Sequence, residues 1–361
     1  MTLTVVIFYV RKFAPLFLLF NILFFIIFFS IKLVLLIFPS HNAPPTMVIN
    51  TLFNQIKQPA YPYATNSGGL NYSFDTIEGS PVTSTDSAKV FFLPQNKFSL
   101  GYIPKIYLMA KSMGFITEEI KHDLNEDTKI ASFNDGTQKL EVSILNYNYK
   151  YEYSLDAASS YFDRAATPEA ETSKQSAINF LSSFDRYPNE IARGKTNVIF
   201  FNYNKDNKAM TILEDNNGAN MVEVDFYRAD IPGIPTDYPI VSPTFHNSQN
   251  YVMMIFSKEG GFKIIRSQVQ FFDKSVDQVG IYPVINGDQA FEKLKAGQGF
   301  IISHTKGETD DVLIKKMFFA YLDPDSYQEY LQPLYVFLGD HNFVAYVNAL
   351  PDNYYIDYSQ L

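Results

Sequence analysis

The sequence predicts an α+β protein: an N-terminal transmembrane helix, then repeated modules of one helix packed on a small antiparallel sheet. Three observations carry this reading. The chain opens on a long apolar run over 13–38. Beyond it, amphipathic helical stretches are sparse and widely spaced. Between them, short alternating segments are joined by turn-forming clusters, the signature of hairpins that carry helices on one face.

From Phe13 to Phe38 the chain reads FAPLFLLFNILFFIIFFSIKLVLLIF, interrupted mainly by Asn21 and Lys32. As a helix this stretch would reach roughly 39 Å, more than the ~30 Å hydrocarbon core of a bilayer. Lys32 is placed to snorkel toward headgroups, and Pro39, Pro44 and Pro45 stop the helix. A cleaved signal peptide would have an apolar region of ~7–15 residues and a small-residue cleavage site, and FPSHNAPP offers no such site. Arg11 and Lys12 precede the run and only Lys32 marks its far end, so the positive-inside bias places residues 1–12 in the cytoplasm. The expectation is a single-pass cell-membrane protein that contacts lipid through 13–38 and holds its body outside the cytoplasm.

The first 43 residues contain no acid and three cations, which leaves the rest with 38 acids against 26 bases, a net of −12. Such a surface repels phosphate backbones and excludes nucleic acid as a partner. Cysteine is absent, which removes disulfides, thiolate metal sites and cysteine nucleophiles together.

Residues 39–70, rich in Pro, Ser and Gly, read as a stalk. A first α+β module over 71–155 has a helix at 103–113, ended by Gly114, and strands at 128–134 and 138–154 around Asn134-Asp135-Gly136. Residues 156–172, with Pro168, read as a linker, a continuing helix being the alternative. The second module, 173–272, has a helix at 173–184 and strands at 197–204, 209–214, 221–228, 250–257 and 262–272. In its third strand Val222, Val224 and Phe226 alternate with Glu223 and Asp225, a half-buried pattern. The third module, 273–361, starts its helix at Asn286 and Gln289 in capping-box spacing and ends it at Gly297. Strands at 299–303, 312–322, 332–338 and 343–349 follow, the last two joined through Gly339-Asp340-His341-Asn342.

In the third module IYPVINGDQAFEKLKAGQGFIIS, VLIKKMFFAYL, YLQPLYVFLG and FVAYVNALP succeed one another. This order resembles the YycH/YycI-type and PepSY-like modules of bacterial envelope proteins, best over 281–349 and more weakly over 173–272. Tyr335 stands where the kinase-regulating members usually carry Trp. The resemblance implies a membrane-anchored, extracytoplasmic, non-enzymatic protein.

The residues supply no motif for chemistry. His41, His122, His246, His304 and His341 form neither HExxH nor an H-x-H pair, and no nucleophile elbow or phosphate loop occurs. Acids cluster at Asp323, Asp325 and Glu329 and at Glu308, Asp310 and Asp311, without the ligand order of a calcium loop. No catalytic, cofactor or metal residue is therefore assigned. In LNYNYKYEYS, Tyr147, Tyr149, Tyr151 and Tyr153 alternate with polar residues, which on a strand puts four rings on one face. That strip is either core beneath the 103–113 helix or a partner surface. The expected function is binding or regulation of another envelope component, with an envelope protein as partner. An anchored cell-wall hydrolase using a carboxylate pair and a purely structural scaffold are the alternatives.

Overall fold

A computed structural model describes residues 3–37, 47–77, 79–95, 101–233, 236–305 and 310–356. Two compact units, 1–46 and 47–361, are described separately.

The first unit holds one helix, α1 (Leu3–Ile37). Asn21 donates its side-chain amide to the Phe17 carbonyl at 2.9 Å, so its polarity is satisfied within the helix. The structure overturns the expected anchor. Among the described residues no helix is long and apolar enough to cross a membrane. The transmembrane helix at 13–38, the single-pass location, the cytoplasmic 1–12 and the extracytoplasmic body are corrected accordingly. The lipid contact expected through 13–38 rested on that anchor.

In the second unit β1 (Thr65–Asn66), β2 (Asn71–Phe74) and β3 (Ser87–Phe92) precede α2 (Tyr102–Ser112). A meander of β4 (Asp123–Asn125), β5 (Ile130–Asn134), β6 (Gln138–Ser143) and β7 (Tyr149–Tyr153) leads to α3 (Ser159–Asp163), α4 (Ala170–Ser182) and α5 (Asn189–Ala192). Next come β8 (Thr196–Asn204), β9 (Ala209–Leu213), β10 (Met221–Phe226), β11 (Ile240–Val241), β12 (Tyr251–Phe256) and β13 (Phe262–Val269). The chain continues through β14 (Val279–Pro283), α6 (Gly287–Lys295), β15 (Phe300–Ser303) and β16 (Asp311–Leu322). It closes with β17 (Tyr330–Leu331), β18 (Pro333–Gly339) and β19 (Val344–Asn348).

These strands form three sheets. The largest is nine-stranded and antiparallel, in the order β4-β5-β6-β7-β13-β12-β10-β8-β9. Ile106, Met109 and Ala110 of α2 and Ala177 and Leu181 of α4 share one core with Phe133, Leu140, Val222 and Val224 of this sheet. The α3 side chain Phe162 stacks on Tyr203 at 4.8 Å in a second cluster with Phe201, Met221 and Met253. The seven-stranded sheet is mixed: β2 and β11 run parallel to β16, and the remaining pairs are antiparallel. A three-stranded sheet, β14-β3-β17, completes the unit. Ala290 and Leu294 of α6 join the core between these two sheets, and α6 starts with the full Asn286–Gln289 capping box.

The fold is α+β, but its strands are not partitioned into one small antiparallel sheet per helix. The edges of the two expected N-terminal modules meet at β7 and β13, with Tyr149 opposite Val269 and Glu152 opposite Arg266. Pairing satisfies backbone groups that each edge would otherwise leave open, and it makes one apolar face continuous beneath both helices. The 47–70 part of the expected stalk is built into the fold: Ile56 is buried with Val90, Tyr282, Leu350 and Tyr355, and β1 pairs with β15.

Candidate functional site

Three of the four tyrosines, Tyr149, Tyr151 and Tyr153, alternate along β7 and share one of its faces, while Tyr147 precedes the strand. Strand β7 begins only at Tyr149, because the chain turns at 144–148, where Tyr147 takes a left-handed conformation (φ 58°). Tyr149 and Tyr151 are buried in the core shared with α2 and α4. The Tyr149 hydroxyl lies 2.6 Å from Ser267 Oγ, and that of Tyr151 donates to Gln138 Oε1 at 2.7 Å. Burial pushes both phenols well up. Tyr147 and Tyr153 are half-buried, with Lys105 Nζ and Lys263 Nζ over their rings at 4.5 and 4.0 Å. On the opposite face Lys150 and Glu152 form an exposed pair at 3.1 Å.

The same turn builds a different site. A cavity of about 350 Å³ is lined by residues of the 143–148 turn, by Gln270 and Asp273, and by Pro94, Gln95 and the loop Asp325–Tyr327. The turn is held by Asn146 Oδ1, which accepts from the Asn148 backbone N–H at 3.0 Å. Asn148 is only 4% exposed. Its Oδ1 accepts from the Phe271 N–H at 3.0 Å and from Arg186 at 2.8 Å. Its Nδ2 is buried without a hydrogen-bond partner, and so is Asp325 Oδ1. Arg186 also donates to the Asn146 carbonyl at 3.1 Å. Burial draws this guanidinium below its usual range, against the pull of nearby charges that include Asp273. Tyr327 donates to the Leu93 carbonyl at 3.0 Å and meets Phe272 edge to face at 5.9 Å. Asn148 Nδ2 and Asp325 Oδ1 are both closed to a water molecule, as are Glu190 Oε2, Arg228 Nε and Nη1 and Asp323 Oδ1, which likewise have no hydrogen-bond partner.

A buried ionic cluster ties the nine-stranded sheet to the loop after β16. The wholly buried Arg228 side chain meets Glu190 Oε2 and Asp323 Oδ1, each at 3.2 Å, and stacks on Phe271 at 4.2 Å. It also donates to the Phe272 carbonyl. Lys274 reaches the other Glu190 oxygen at 2.5 Å, and Gln249 donates to Asp323 Oδ2 at 2.7 Å. Burial pushes the Asp323 carboxyl up to about 6 even though Arg228 pulls it down. Each charge here is engaged by another, so the cluster acts as a clamp.

Of the acids singled out in the sequence, Asp323 belongs to the clamp and Asp325 to the cavity, while Glu329 accepts from the Tyr330 hydroxyl at 3.2 Å. Asp311 accepts from Asn71 at 3.0 Å and the Asp310 carbonyl accepts from the Asn71 N–H at 2.9 Å. Glu308 and His41 lie outside the described residues. Among the described residues no cluster of His, Cys, Asp and Glu could hold a metal ion. His122 Nδ1 lies 3.2 Å from the Tyr107 hydroxyl, and His304 packs on Phe343.

Sequence reasoning missed the state of Glu223 and Asp225. Both are buried, because β10 lies between β12 and β8 inside the large sheet and Tyr251 stands opposite Asp225. Burial pushes Glu223 up to about 8, helped by the Asp225 charge and opposed by Arg266. Burial likewise raises Asp225 to about 7, moderated by Ser248 and Tyr227.

No protein-family model matches the chain. No curated protein matches it either. The resemblance to YycH/YycI-type and PepSY-like modules gains no support from these comparisons. An uncharacterized protein from Eubacterium rectale ATCC 33656, known from its crystal structure, is similar at 11% identity over 76% of this chain and 87% of that one. The TM-score is 0.32, and this likeness carries no argument about fold or function.

Proposed function

We propose that this chain is a non-enzymatic binding protein that holds a ligand or a partner's segment in the cavity beside Asn148. The observation that supports it is the cavity itself, lined by residues of the 143–148 turn, which Arg186 holds, and of the 325–327 loop. Asp273 and Asp325 give that lining two carboxylates. The volume, about 350 Å³, falls in the range of pockets for small ligands or single side chains.

The carboxylate-hydrolase reading has one observation in its favour, the raised Glu223 and Asp225 pair. A substrate would have to reach them, yet both side chains are buried and neither lines the cavity beside Asn148. Binding therefore stands ahead of hydrolysis. Amide chemical-shift mapping of the full chain against a mixed fragment library tests it. Shifts should gather on 143–148, 270–273 and 325–327; shifts confined to other surfaces, or none, would refute the proposal.

A further inference from the structure

We propose that β9 pairs antiparallel with β9 of a second copy of this chain, carrying the nine-stranded sheet across a two-fold axis. The inference is independent of the cavity beside Asn148.

The sheet edges of this unit are not alike. Strand β9 ends the nine-stranded sheet and pairs only with β8 among the described residues, so one row of its backbone N–H and C=O groups is open. Proteins blunt such edges with very short strands, charges or proline. The far edge of the same sheet is blunted in this way, since β4 has three residues and carries Asp123. In the seven-stranded sheet β1 and β11 have two residues each. Strand β9 has five, Ala209-Met210-Thr211-Ile212-Leu213, with no charge and no proline among them. Met210 and Ile212 share one face of the strand and are 37% and 69% exposed. A paired strand satisfies the open backbone groups and covers both side chains.

Charge selects the occupant. Lys208 precedes β9 and Glu214 follows it, and both are exposed. A two-fold axis through Thr211 sets that residue against itself, Met210 against Ile212, Ala209 against Leu213 and Lys208 against Glu214, each of the last three pairs occurring twice. Opposite charges facing each other across strands stabilise the pairing. Glu214 forms no ion pair among the described residues. Lys208 meets Asp156 at 2.9 Å, and its ammonium has further protons to donate. Moving the axis one residue either way takes Lys208 away from Glu214. Parallel pairing in register sets each charge against its like, which is unfavourable. A second copy thus supplies a strand of matching length, apolar partners for Met210 and Ile212, and a cation for Glu214.

The chain has no cysteine, so a single introduced thiol reports a single contact. Opposed Cα atoms of an antiparallel pair lie about 4.5–5.5 Å apart, within the ~4.4–6.8 Å that a disulfide spans. Under mild oxidation of the dilute full chain, Thr211→Cys should give a crosslinked dimer on a non-reducing gel. Ile116→Cys, exposed on the loop after α2, should stay monomeric, which separates pairing at β9 from association through another surface. Added to Thr211→Cys, either Lys208→Glu or Glu214→Lys sets like charges across the axis and should slow crosslinking severalfold. Mixing those two variants brings opposite charges together again and should restore the rate. No crosslinking of Thr211→Cys, equal crosslinking of Ile116→Cys, or no recovery on mixing would overturn the proposal.

Discussion

Replacing Arg228 by Ala is the most severe single test of how the two large sheets are held together. Its side chain has no solvent exposure, forms ion pairs with Glu190 and Asp323 at 3.2 Å and stacks on Phe271. Removal leaves Glu190 with Lys274 at 2.5 Å, so that carboxylate keeps a partner. Asp323 keeps only the Gln249 amide as a side-chain donor and becomes a buried charge with no cation in contact. Breaking a buried pair from one side costs about 3–5 kcal/mol, a large part of the ~5–15 kcal/mol that usually holds a domain. The Asp323 carboxyl, already raised to about 6 by burial, would rise further and relieve part of the loss by protonation. Adding Asp323→Asn to Arg228→Ala should therefore recover stability, because no orphan charge remains. Urea denaturation at pH 7.5 reads both effects through the midpoint. As a control, Arg164→Ala breaks an exposed pair with Glu259 and should leave the midpoint where it is. A loss below about 1 kcal/mol for Arg228→Ala, or no recovery in the double variant, would refute the clamp.

Two further predictions address the sheet. Tyr151→Ala should cost about 3–5 kcal/mol through lost burial and a cavity, whereas Tyr151→Phe should cost about 1–3 kcal/mol by leaving Gln138 Oε1 without its donor; near-neutral values in thermal unfolding would place this ring outside the core. Glu223 has a folded pKa, about 8, above its unfolded value, so the folded state binds more protons and stability falls as pH rises from about 4.5 through 8. Glu223→Gln should flatten that fall and raise the denaturation midpoint at pH 8; a midpoint lowered at pH 8 would contradict the assignment.

Where structure depends on neighbours in the chain, it was legible. Asn286 and Gln289 form the capping box their spacing announces. Asn134-Asp135-Gly136 makes its hairpin, with Asp135 Oδ1 accepting from the Thr137 and Gln138 N–H groups. The Gly339–Asn342 connection closes β18 on β19, with His341 and Asn342 both left-handed. Long-range partners leave no such trace. Arg228 is adjacent to neither Glu190 nor Asp323 in sequence, and nothing local marks it as buried. Alternation in β10 showed that its two faces differ, but not that Glu223 and Asp225 lie covered in a sheet whose width depends on the β7–β13 pairing. The Asn148 site was half visible. Asn146 and Asn148 are turn-forming residues, yet the regular tyrosine spacing around them read as one strand. The apolar run over 13–38 is plain in composition, yet among the described residues no helix is long and apolar enough to cross a membrane.

The proposed function turns on whether the cavity beside Asn148 takes a ligand. A crystal structure of the full chain soaked with the fragments that shift 143–148 tests that most directly. A fragment seated among Asn146, Asn148, Gln270 and Asp325 is the predicted result; fragments bound only on other surfaces would contradict it.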